Sequence, residues 1–432
     1  MNQPKSPTEL HIGIDDTDSK QGGCTTYTAA VVFDELSKAG FDAADFPWLV
    51  RLNPNIPWKT RGNGALALHF LVEEDRLSLA RKIVLDRVRR TADVSSPSAD
   101  PVVVFLQGKI PPELTDFSQS ALHDVLQVDN AKRLSKRIGA EQHILKGPRG
   151  LIGALAAIGA SLQTAHTFEL IAYRMRDYVG TPRKVESDSV REMDARFREK
   201  TFNNLDPETG RVLISPHGPD PVLFGIRGET PLSLAQAYRC IRVGEPIQRV
   251  MIFRTNHGTD AHLTQHRRCA ELRPYESAQV SGRVESLPRV LRGGHVVFSL
   301  RDDTGSVDCA AYEPTGPFRN AVMELVPGDS VTTFGGVRHN PKERTTLNLE
   351  KLVVDDLVEV TIYKNPQCSR CDRLCESMGR GQGFRCRKCG HCLPRDSRIQ
   401  VFQTRRREVQ RLEWLLPSVR VMRALRANSE RS

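Results

Sequence analysis

The stretch ELHIGIDDTDSKQGGCTTYTAAVVFDELSKA, residues 9–39, decides the fold of the N-terminal part of the chain. The segment ELHIGIDDT, residues 9–17, predicts a short strand that enters a polar loop, and residues 25–39 predict an amphipathic helix. Four apolar side chains recur along one face of this helix: Ala29, Val32, Phe33 and Leu36. The pattern therefore predicts a strand, an acidic glycine-containing loop and a helix in succession.

The following segments predict two α+β units in tandem. Strands are predicted near 48–52, 65–72 and 102–106 and a helix over 76–90, so the order is β-α-β-β-α-β, as in a ferredoxin-like unit. A polar, helical connection over 116–139 and an alanine-rich helix over 151–162 come next. The same order is then predicted again, with strands over 167–174, 212–215, 222–227 and 249–255 and helices over 188–198 and 232–241.

Between Ser277 and Leu357 the sequence pattern is typical of an all-β segment. Five segments alternate apolar and polar residues and are separated by Gly and Pro turns. A short helical piece, Asn320–Leu325, lies between the third and fourth strands. These features predict an OB-type barrel.

Cysteine placement predicts a structural metal site. Cys368-x-x-Cys371 and Cys386-x-x-Cys389 are 14 residues apart, which is close to the spacing of a zinc ribbon. Four thiolates complete a tetrahedron around one Zn²⁺ and leave no open position, so the metal is expected to be structural. Three nearby residues stay open as competing ligands: Cys375, His391 and Cys392.

An acidic cluster follows the first predicted strand. Asp15, Asp16 and Asp18 lie within four residues, and such a cluster is costly unless it holds a cation such as Mg²⁺. A solvated acidic turn is the alternative. Asp16-x-Asp18 is also similar to the aspartyl nucleophile pair of haloacid-dehalogenase-type phosphatases, although Asp15 and the Gly-Gly-Cys-Thr-Thr continuation do not belong to that pattern. A magnesium-dependent phosphatase therefore stays open.

The Gly22-Gly23 turn leads to Thr25 and Thr26 at the predicted helix N-terminus. Free backbone N–H groups at such an N-terminus favour phosphate, and a hydroxyl there is placed to accept a phosphoryl group. The alternative is that Thr25 only caps the helix. Gly22, Gly23 and Thr26 are candidates for a nucleotide site, and Thr25 is a candidate catalytic residue.

A second polar loop, RLNPNIPWKTRGNG over residues 51–64, lies between two predicted strands. Lys59 and Arg61 can neutralise nucleotide phosphates, and the glycines permit close approach of the backbone. We assign Asn63 to the same candidate nucleotide site. An ordinary long loop is the alternative.

The positive charge of the chain is concentrated at its C-terminus. The formal net charge is +10, and residues 361–432 carry 17 basic and 6 acidic side chains, a net of +11, which leaves −1 for residues 1–360. This distribution indicates a polyanionic partner such as RNA. A solvated basic tail is the alternative for residues 401–432.

The chain has neither a run of about 18 apolar residues nor an apolar secretory segment near residue 1. We therefore expect a cytoplasmic protein that does not enter a membrane.

Taken together, the sequence blocks resemble the archaeal 2-agmatinylcytidine synthetases, which modify the isoleucine tRNA with a CAU anticodon. The resemblance covers roughly residues 10–400. It rests on GIDDTDS and GGCTTY, RLNPNIPWKTRGNG, TFELIAYR, TFNN, PHGPDPVLFGIRGE, FRTNHGTDAHL and the terminal Cys-x-x-Cys pairs, in family order.

The resemblance implies a multidomain α+β fold in five parts. These are a kinase-like catalytic domain over 1–130, a ferredoxin-like domain over 131–270, an OB fold over 275–360, a zinc ribbon over 361–400 and a basic tail over 401–432.

The resemblance also implies an ATP-dependent ligase with Mg²⁺ and structural Zn²⁺. Members of the family cleave ATP to AMP and phosphate, phosphorylate the C2 oxygen of the wobble cytidine, and let the amine of agmatine displace that phosphate. The autophosphorylated threonine of the family falls on Thr25, and its acidic cluster falls on Asp15, Asp16 and Asp18. Asp220 and Glu229 are candidates for binding the agmatine dication. A non-catalytic RNA-binding protein is the remaining alternative.

Overall fold

The computed structural model describes residues 7–19, 21–60, 62–163, 165–207, 209–339, 345–397 and 399–403. The first half of the chain begins with the predicted strand, loop and helix, and the elements that follow agree with the predicted order. They are β1 (Thr8–Asp15), α1 (Thr25–Lys38), β2 (Asp42–Ala43), β3 (Trp48–Arg51), β4 (Gly64–Val72), α2 (Leu77–Thr91), β5 (Val102–Gln107), α3 (Pro112–His123), α4 (Val128–Arg137), β6 (Glu141–Ile144) and α5 (Gly150–Gly159).

The next segment repeats this order, with one correction to the predicted strands. Its elements are β7 (Thr167–Arg174), α6 (Ser187–Phe197), β8 (Thr201–Phe202), β9 (Val222–Gly228), α7 (Pro231–Tyr238) and β10 (Ile247–Thr255). The strand predicted over 212–215 is wrong, because that segment makes only an isolated bridge between Leu205 and Val212. Ile214 is apolar because it is buried in the core, and β9 pairs with the short β8 instead.

All ten strands of these two segments form one continuous sheet in the order β6-β5-β1-β4-β3-β10-β7-β9-β8, with β2 paired to β4. Within each segment the four principal strands lie in the order fourth, first, third, second, and their neighbours are antiparallel. The segments join through a parallel pairing of β3 with β10, in which Trp48 faces Arg254 and Leu49 faces Thr255. This junction places the carboxyl ends of β3 and β10 side by side.

Helices cover both faces of the first half of the sheet. One core contains Leu10, Ile12 and Ile14 from β1 together with residues of α1 and α2, and the opposite core contains residues of α3, α4 and α5. Helix α5 lies close to β1 because both contribute glycines at the contact: a Cβ on Gly13 would overlap the backbone of Ala154.

The third segment is a small barrel. Its elements are β11 (Ser277–Val284), β12 (Arg289–Val290), β13 (Val296–Arg301), β14 (Ser306–Ala311), α8 (Pro317–Val322), β15 (Ser330–Arg338) and β16 (Thr346–Asp356). The strand order is β11-β15-β16-β14-β13-β12, and an additional pairing of β11 with β13 closes the sheet on itself. Helix α8 lies between the third and fourth long strands, as predicted, but begins three residues earlier because Pro317 starts it.

The cysteine-rich segment is built from short strands. These are β17 (Val360–Lys364), β18 (Glu376–Ser377), β19 (Phe384–Arg385), β20 (Cys392–Leu393) and β21 (Ile399–Gln403), with β17 paired to β21. The basic tail that the sequence analysis places over 401–432 lies outside the described residues from 404 onward. Among the helices of the described ranges, none has the length and apolar character needed to cross a membrane.

Candidate functional site

A cavity of about 330 Å³ lies at the junction of β3 and β10, where the two halves of the large sheet meet. The first half contributes the end of β1, the start of α1, the 51–64 loop and part of α5. The second half contributes residues of β7 and β9 and the loop before β9. Most of the predicted site residues line this cavity: Asp15, Asp16, Asp18, Thr25, Thr26, Lys59 and Asn63.

The acidic cluster lies at the end of β1. Burial raises the pKa of Asp15 well above its usual range, and the neighbouring Asp16 and Asp18 carboxylates raise it further. Burial also raises the pKa of Asp16 to about 6, with contributions from Asp100 and Asp18. The cavity therefore places two carboxyl groups where an added cation would be strongly favoured.

The hydroxyl of Thr25 is held by a carboxylate. Thr25 is the first residue of α1, and its Oγ1 donates to Oδ1 of Asp18 at 3.0 Å. Thr60, from the opposite side of the cavity, donates its hydroxyl to the same oxygen at 3.1 Å. Asp18 therefore joins the helix N-terminus to the 51–64 loop.

The turn before α1 has a structural role in this geometry. Gly22 and Gly23 do not line the cavity; the carbonyl of Gly22 accepts from the N–H of Ser19 at 2.8 Å and closes the turn. Gly23 has a φ of 70°, which favours glycine. A Cβ there would lie 3.1 Å from the Asp18 Cα, so glycine permits the close approach of the two ends of this turn.

The 51–64 loop carries the second set of predicted residues. Burial and the nearby Arg338 guanidinium lower the pKa of Lys59. Asn63 lines the cavity, but its side-chain amide also donates to the Asn53 carbonyl at 2.8 Å and shapes the loop. Arg61 lies outside the described residues.

This loop is anchored on the barrel, which the sequence did not suggest. The Asn53 amide donates to the Asp124 and Tyr275 carbonyls at 3.2 and 2.9 Å. The Asn55 amide donates to the Ser277 hydroxyl of β11 at 2.8 Å. The barrel thus helps to fix the backbone that carries Lys59.

A buried ion cluster on the second half of the sheet was also missed. Glu169 of β7 contacts Arg227 at 2.9 Å and Arg51 at 3.3 Å, and His257 Nδ1 lies 3.6 Å from it. Burial alone would raise the pKa of Glu169, but Arg227, His257 and Arg51 hold it well below its usual range. Burial lowers the pKa of His257 to about 4. This cluster fixes two guanidinium groups in the cavity wall.

Gly153 of α5 is a further residue that the sequence analysis did not single out. A Cβ on Gly153 would overlap the Asp15 carboxylate, so the absence of a side chain leaves room for that group. The glycines in the sequence GLIGALAAIG were the available signal.

The candidate agmatine residues differ in position. Asp220 lines the cavity, and Arg183 donates to its Oδ1 at 3.2 Å. Glu229 does not line the cavity.

The four predicted metal ligands come together in the ribbon. Within the described ranges, Cys368, Cys371, Cys386 and Cys389 are the one group of candidate ligands whose donor atoms all lie within 4.8 Å of one another. Sulfur separations of 3.3, 3.5 and 3.7 Å compare with about 3.8 Å for ideal tetrahedral zinc thiolates. Cys375 is buried beside this group and is not part of it.

Comparisons with known proteins agree with this architecture. Protein-family models of the TiaS TCKD domain, the TiaS FLD domain and the TiaS C-terminal zinc ribbon domain match residues 11–147, 148–262 and 365–407. The chain is 42% identical over 386 residues to the isoleucine-tRNA 2-agmatinylcytidine synthetase TiaS of Pyrococcus horikoshii, with 89% of each chain covered. It is 42% identical over 397 residues to the TiaS of Methanosarcina mazei, covering 90% of this chain and 91% of the relative.

Solved structures of the same family also superpose on nearly the whole chain. An apo TiaS structure matches with a TM-score of 0.83 at 37% identity and covers 96% of both chains. A complex of TiaS with its isoleucine tRNA and ATP matches with a TM-score of 0.81 at 38% identity, covering 97% of this chain and 96% of the other. Sequence, cavity and zinc ribbon thus lead to one conclusion: the chain belongs to the isoleucine-tRNA 2-agmatinylcytidine synthetase family.

Proposed function

We propose that the protein is an ATP-dependent ligase that joins agmatine to C2 of the wobble cytidine of the CAU-anticodon isoleucine tRNA. The chain matches relatives of this name over most of their length. Similar solved structures contain the isoleucine tRNA with ATP, or with an ATP analogue and agmatine. The observation that carries the proposal is the position of the Thr25 hydroxyl. It donates a hydrogen bond to Asp18 at the N-terminus of α1, inside the cavity that the acidic cluster lines.

This geometry supports phosphoryl transfer to Thr25. Two phosphoanhydride bonds of ATP break, which leaves AMP. One phosphoryl group bonds to the Thr25 oxygen as its bond to the nucleotide oxygen breaks, and Asp18 accepts the hydroxyl proton. The other phosphoryl group bonds to the C2 oxygen of the cytidine. The N-terminus of α1 faces the incoming anion with its free backbone N–H groups. Thr26, Lys59, Arg61 and Asn63 are proposed to bind the nucleotide, with Gly22 and Gly23 shaping the loop.

The acidic cluster of Asp15, Asp16 and Asp18 would hold a Mg²⁺ ion, and the ion would supply positive charge that neutralises the phosphate groups. The raised pKa values of Asp15 and Asp16 fit a cation there. The three carboxylates do not form a closed ligand set, which suits an ion held by one or two carboxylates together with phosphate.

The second stage joins the amine to the base. Phosphorylation of the C2 oxygen makes it a leaving group; the agmatine nitrogen then bonds to C2, the C2–O bond breaks, and the oxygen departs with phosphate. The amine must lose a proton to attack. Asp16 lines the cavity and is proposed to take that proton while Asp15 and Asp18 hold the cation. We place the agmatine guanidinium near Asp220 in preference to Glu229.

The remaining segments are proposed to bind RNA. We assign the two units of the large sheet to a kinase-like domain over 1–130 and a ferredoxin-like domain over 131–270, the barrel to an OB fold over 275–360 and the ribbon to 361–400. The ribbon and the basic tail over 401–432 supply the positive charge that a tRNA requires. A tRNA substrate supports a cytoplasmic location for the enzyme, which is part of the proposal.

The test is phosphorylation of Thr25. Thr25→Ala is expected to remove ATP-dependent phosphate from the protein and to reduce product strongly, whereas Thr25→Ser keeps the hydroxyl and should retain both. Phosphopeptide mass spectrometry and agmatine incorporation measure the two effects. Normal turnover by Thr25→Ala would contradict the assignment, and phosphate on Asp16 would support the phosphatase alternative, which the family membership does not favour.

A further inference from the structure

Trp58 lies in the cavity wall with an unusual amount of free surface. Its side chain lines the cavity, yet 49% of it is exposed, whereas Trp48 on the adjacent strand is 8% exposed. A large aromatic ring held at a cavity mouth offers an apolar face to whatever enters. The nucleotide and metal contacts proposed above do not use this ring.

The position of Trp58 relates it to the phosphoryl acceptor. Thr60, two residues further along, donates to Asp18, which also holds Thr25. Two residues span at most about 7 Å of extended chain. The ring and Thr25 line the same cavity, so a base that stacks on the ring would share that cavity with the proposed phosphoryl acceptor.

Positively charged side chains lie on one part of the cavity wall near the Trp58 ring. The Arg149 guanidinium lies over the Trp58 ring at 5.9 Å from its centre. Lys59 is the next residue, and the Arg338 guanidinium of the barrel is close enough to lower the Lys59 pKa. An aromatic face beside several cations is the arrangement with which proteins hold single-stranded nucleic acid, since the ring stacks on a base and the cations contact phosphates.

The loop that carries Trp58 is fixed before any substrate binds. Arg338 donates to the Asn55 carbonyl at 3.1 Å, and Asn55 and Asn53 contact the barrel through the bonds described above. These bonds order the backbone that leads to Trp58, which lowers the entropic cost of ordering the loop when a base stacks on the ring.

We propose that Trp58 is the platform on which the flipped wobble cytidine stacks while its C2 oxygen faces the phosphoryl donor. Extruding a base from its stack costs a few kcal/mol, and stacking on an aromatic side chain offsets part of that cost. The inference rests on the proposed function and adds the residue that receives the base. The adenine of ATP is a less suitable occupant, because the triphosphate separates it from the acceptor.

The first experiment compares Trp58→Ala, Trp58→Leu and Trp58→Phe in the full chain. For the alanine variant, kcat/KM for the tRNA transcript should fall about 5- to 150-fold, the range measured for loss of one aromatic–base stack. Trp58→Phe should recover most of that loss and Trp58→Leu should not, because leucine fills space but has no aromatic face. The exposed Phe46, away from the cavity, gives the control variant Phe46→Leu, which should keep wild-type activity.

The same variants separate stacking from two other roles. The loss in the tRNA-dependent step should be accompanied by less than about a twofold change in Thr25 phosphorylation by ATP alone, since about 1–3 kcal/mol of stacking is lost only in the RNA step. A parallel loss in both steps, equal rescue by leucine and phenylalanine, or a raised KM for ATP without a change for tRNA would overturn the proposal. The last result would identify adenine as the occupant.

A binding measurement tests the proposal without catalysis. Trp58 fluorescence, taken as the difference between wild type and Trp58→Phe, should be quenched by a tRNA transcript that carries cytidine at the wobble position. A transcript with an abasic wobble site should cause little quenching. Equal quenching by both transcripts would overturn the proposal, and it would do so even if agmatine transfer itself proceeds as proposed.

Discussion

Replacing Asp16 by Asn is expected to make the folded protein more stable while removing its activity. Asp16 lies in the acidic cluster with a φ of 57°, a left-handed conformation that Asn also tolerates. The substitution therefore keeps the backbone and the size of the side chain. It removes a charge that burial and the neighbouring carboxylates disfavour.

The magnitude follows from the pKa of the Asp16 carboxyl. In the folded protein it rises from 3.8 to about 6, so ionisation is harder than in the unfolded chain. At 1.36 kcal/mol per unit, the charge lowers the free energy of unfolding by up to about 3 kcal/mol. The wild type loses this stability as pH rises from about 4 to 6. Above that range, the difference in the free energy of unfolding between Asp16→Asn and the wild type stays constant.

Thermal unfolding of both proteins between pH 4.5 and 8, without ATP or divalent ions, measures this difference in stability. The midpoint of the variant should exceed that of the wild type least at pH 4.5, where about 1 kcal/mol of the difference is present, and by several degrees at pH 8. Asp93→Asn is the control of opposite sign, because Ser19 and Ser95 donate to Asp93 and lower its pKa. A difference in stability for Asp16→Asn that is independent of pH would refute the reasoning.

Three further changes test other parts of the structure. Gly153→Ala should cost about 1–3 kcal/mol of unfolding free energy and slow Thr25 phosphorylation, because a Cβ there displaces the Asp15 carboxylate; unaltered phosphorylation would count against this contact. Asn53→Ala should lower the free energy of unfolding by about 1–3 kcal/mol, measured by urea denaturation, because buried carbonyls lose their donor. Cys386→Ser should abolish bound zinc in elemental analysis, whereas Cys375→Ser should retain it; loss of zinc in both would bring Cys375 into the ligand set.

Much of the fold could be predicted because its signals are local. Strand β7 agrees with the predicted range 167–174, and the helical spacing of residues 25–39 predicts α1. The zinc ligands were predictable for the same reason, since each pair lies within four residues of chain. The candidate catalytic residues also lie close together in the sequence, between Asp15 and Thr25.

The rest depends on contacts between distant parts of the chain. The β3–β10 pairing joins strands about 200 residues apart, and no periodicity of either strand specifies that partner. A similar distance separates Arg51 from Arg227, so the Glu169 cluster could not be predicted from a motif. The strand predicted over 212–215 failed because an apolar run with a buried Ile214 also suits a loop that packs on the core.

The central claim is the joining of agmatine to the wobble cytidine. The most direct test is incorporation of labelled agmatine into an unmodified CAU-anticodon isoleucine tRNA transcript, with and without ATP. The account predicts label at the wobble cytidine only when ATP is present, and strongly reduced label in the Thr25→Ala variant. ATP cleavage without label would contradict the substrate assignment, and absence of both label and ATP cleavage would contradict the account of the cavity.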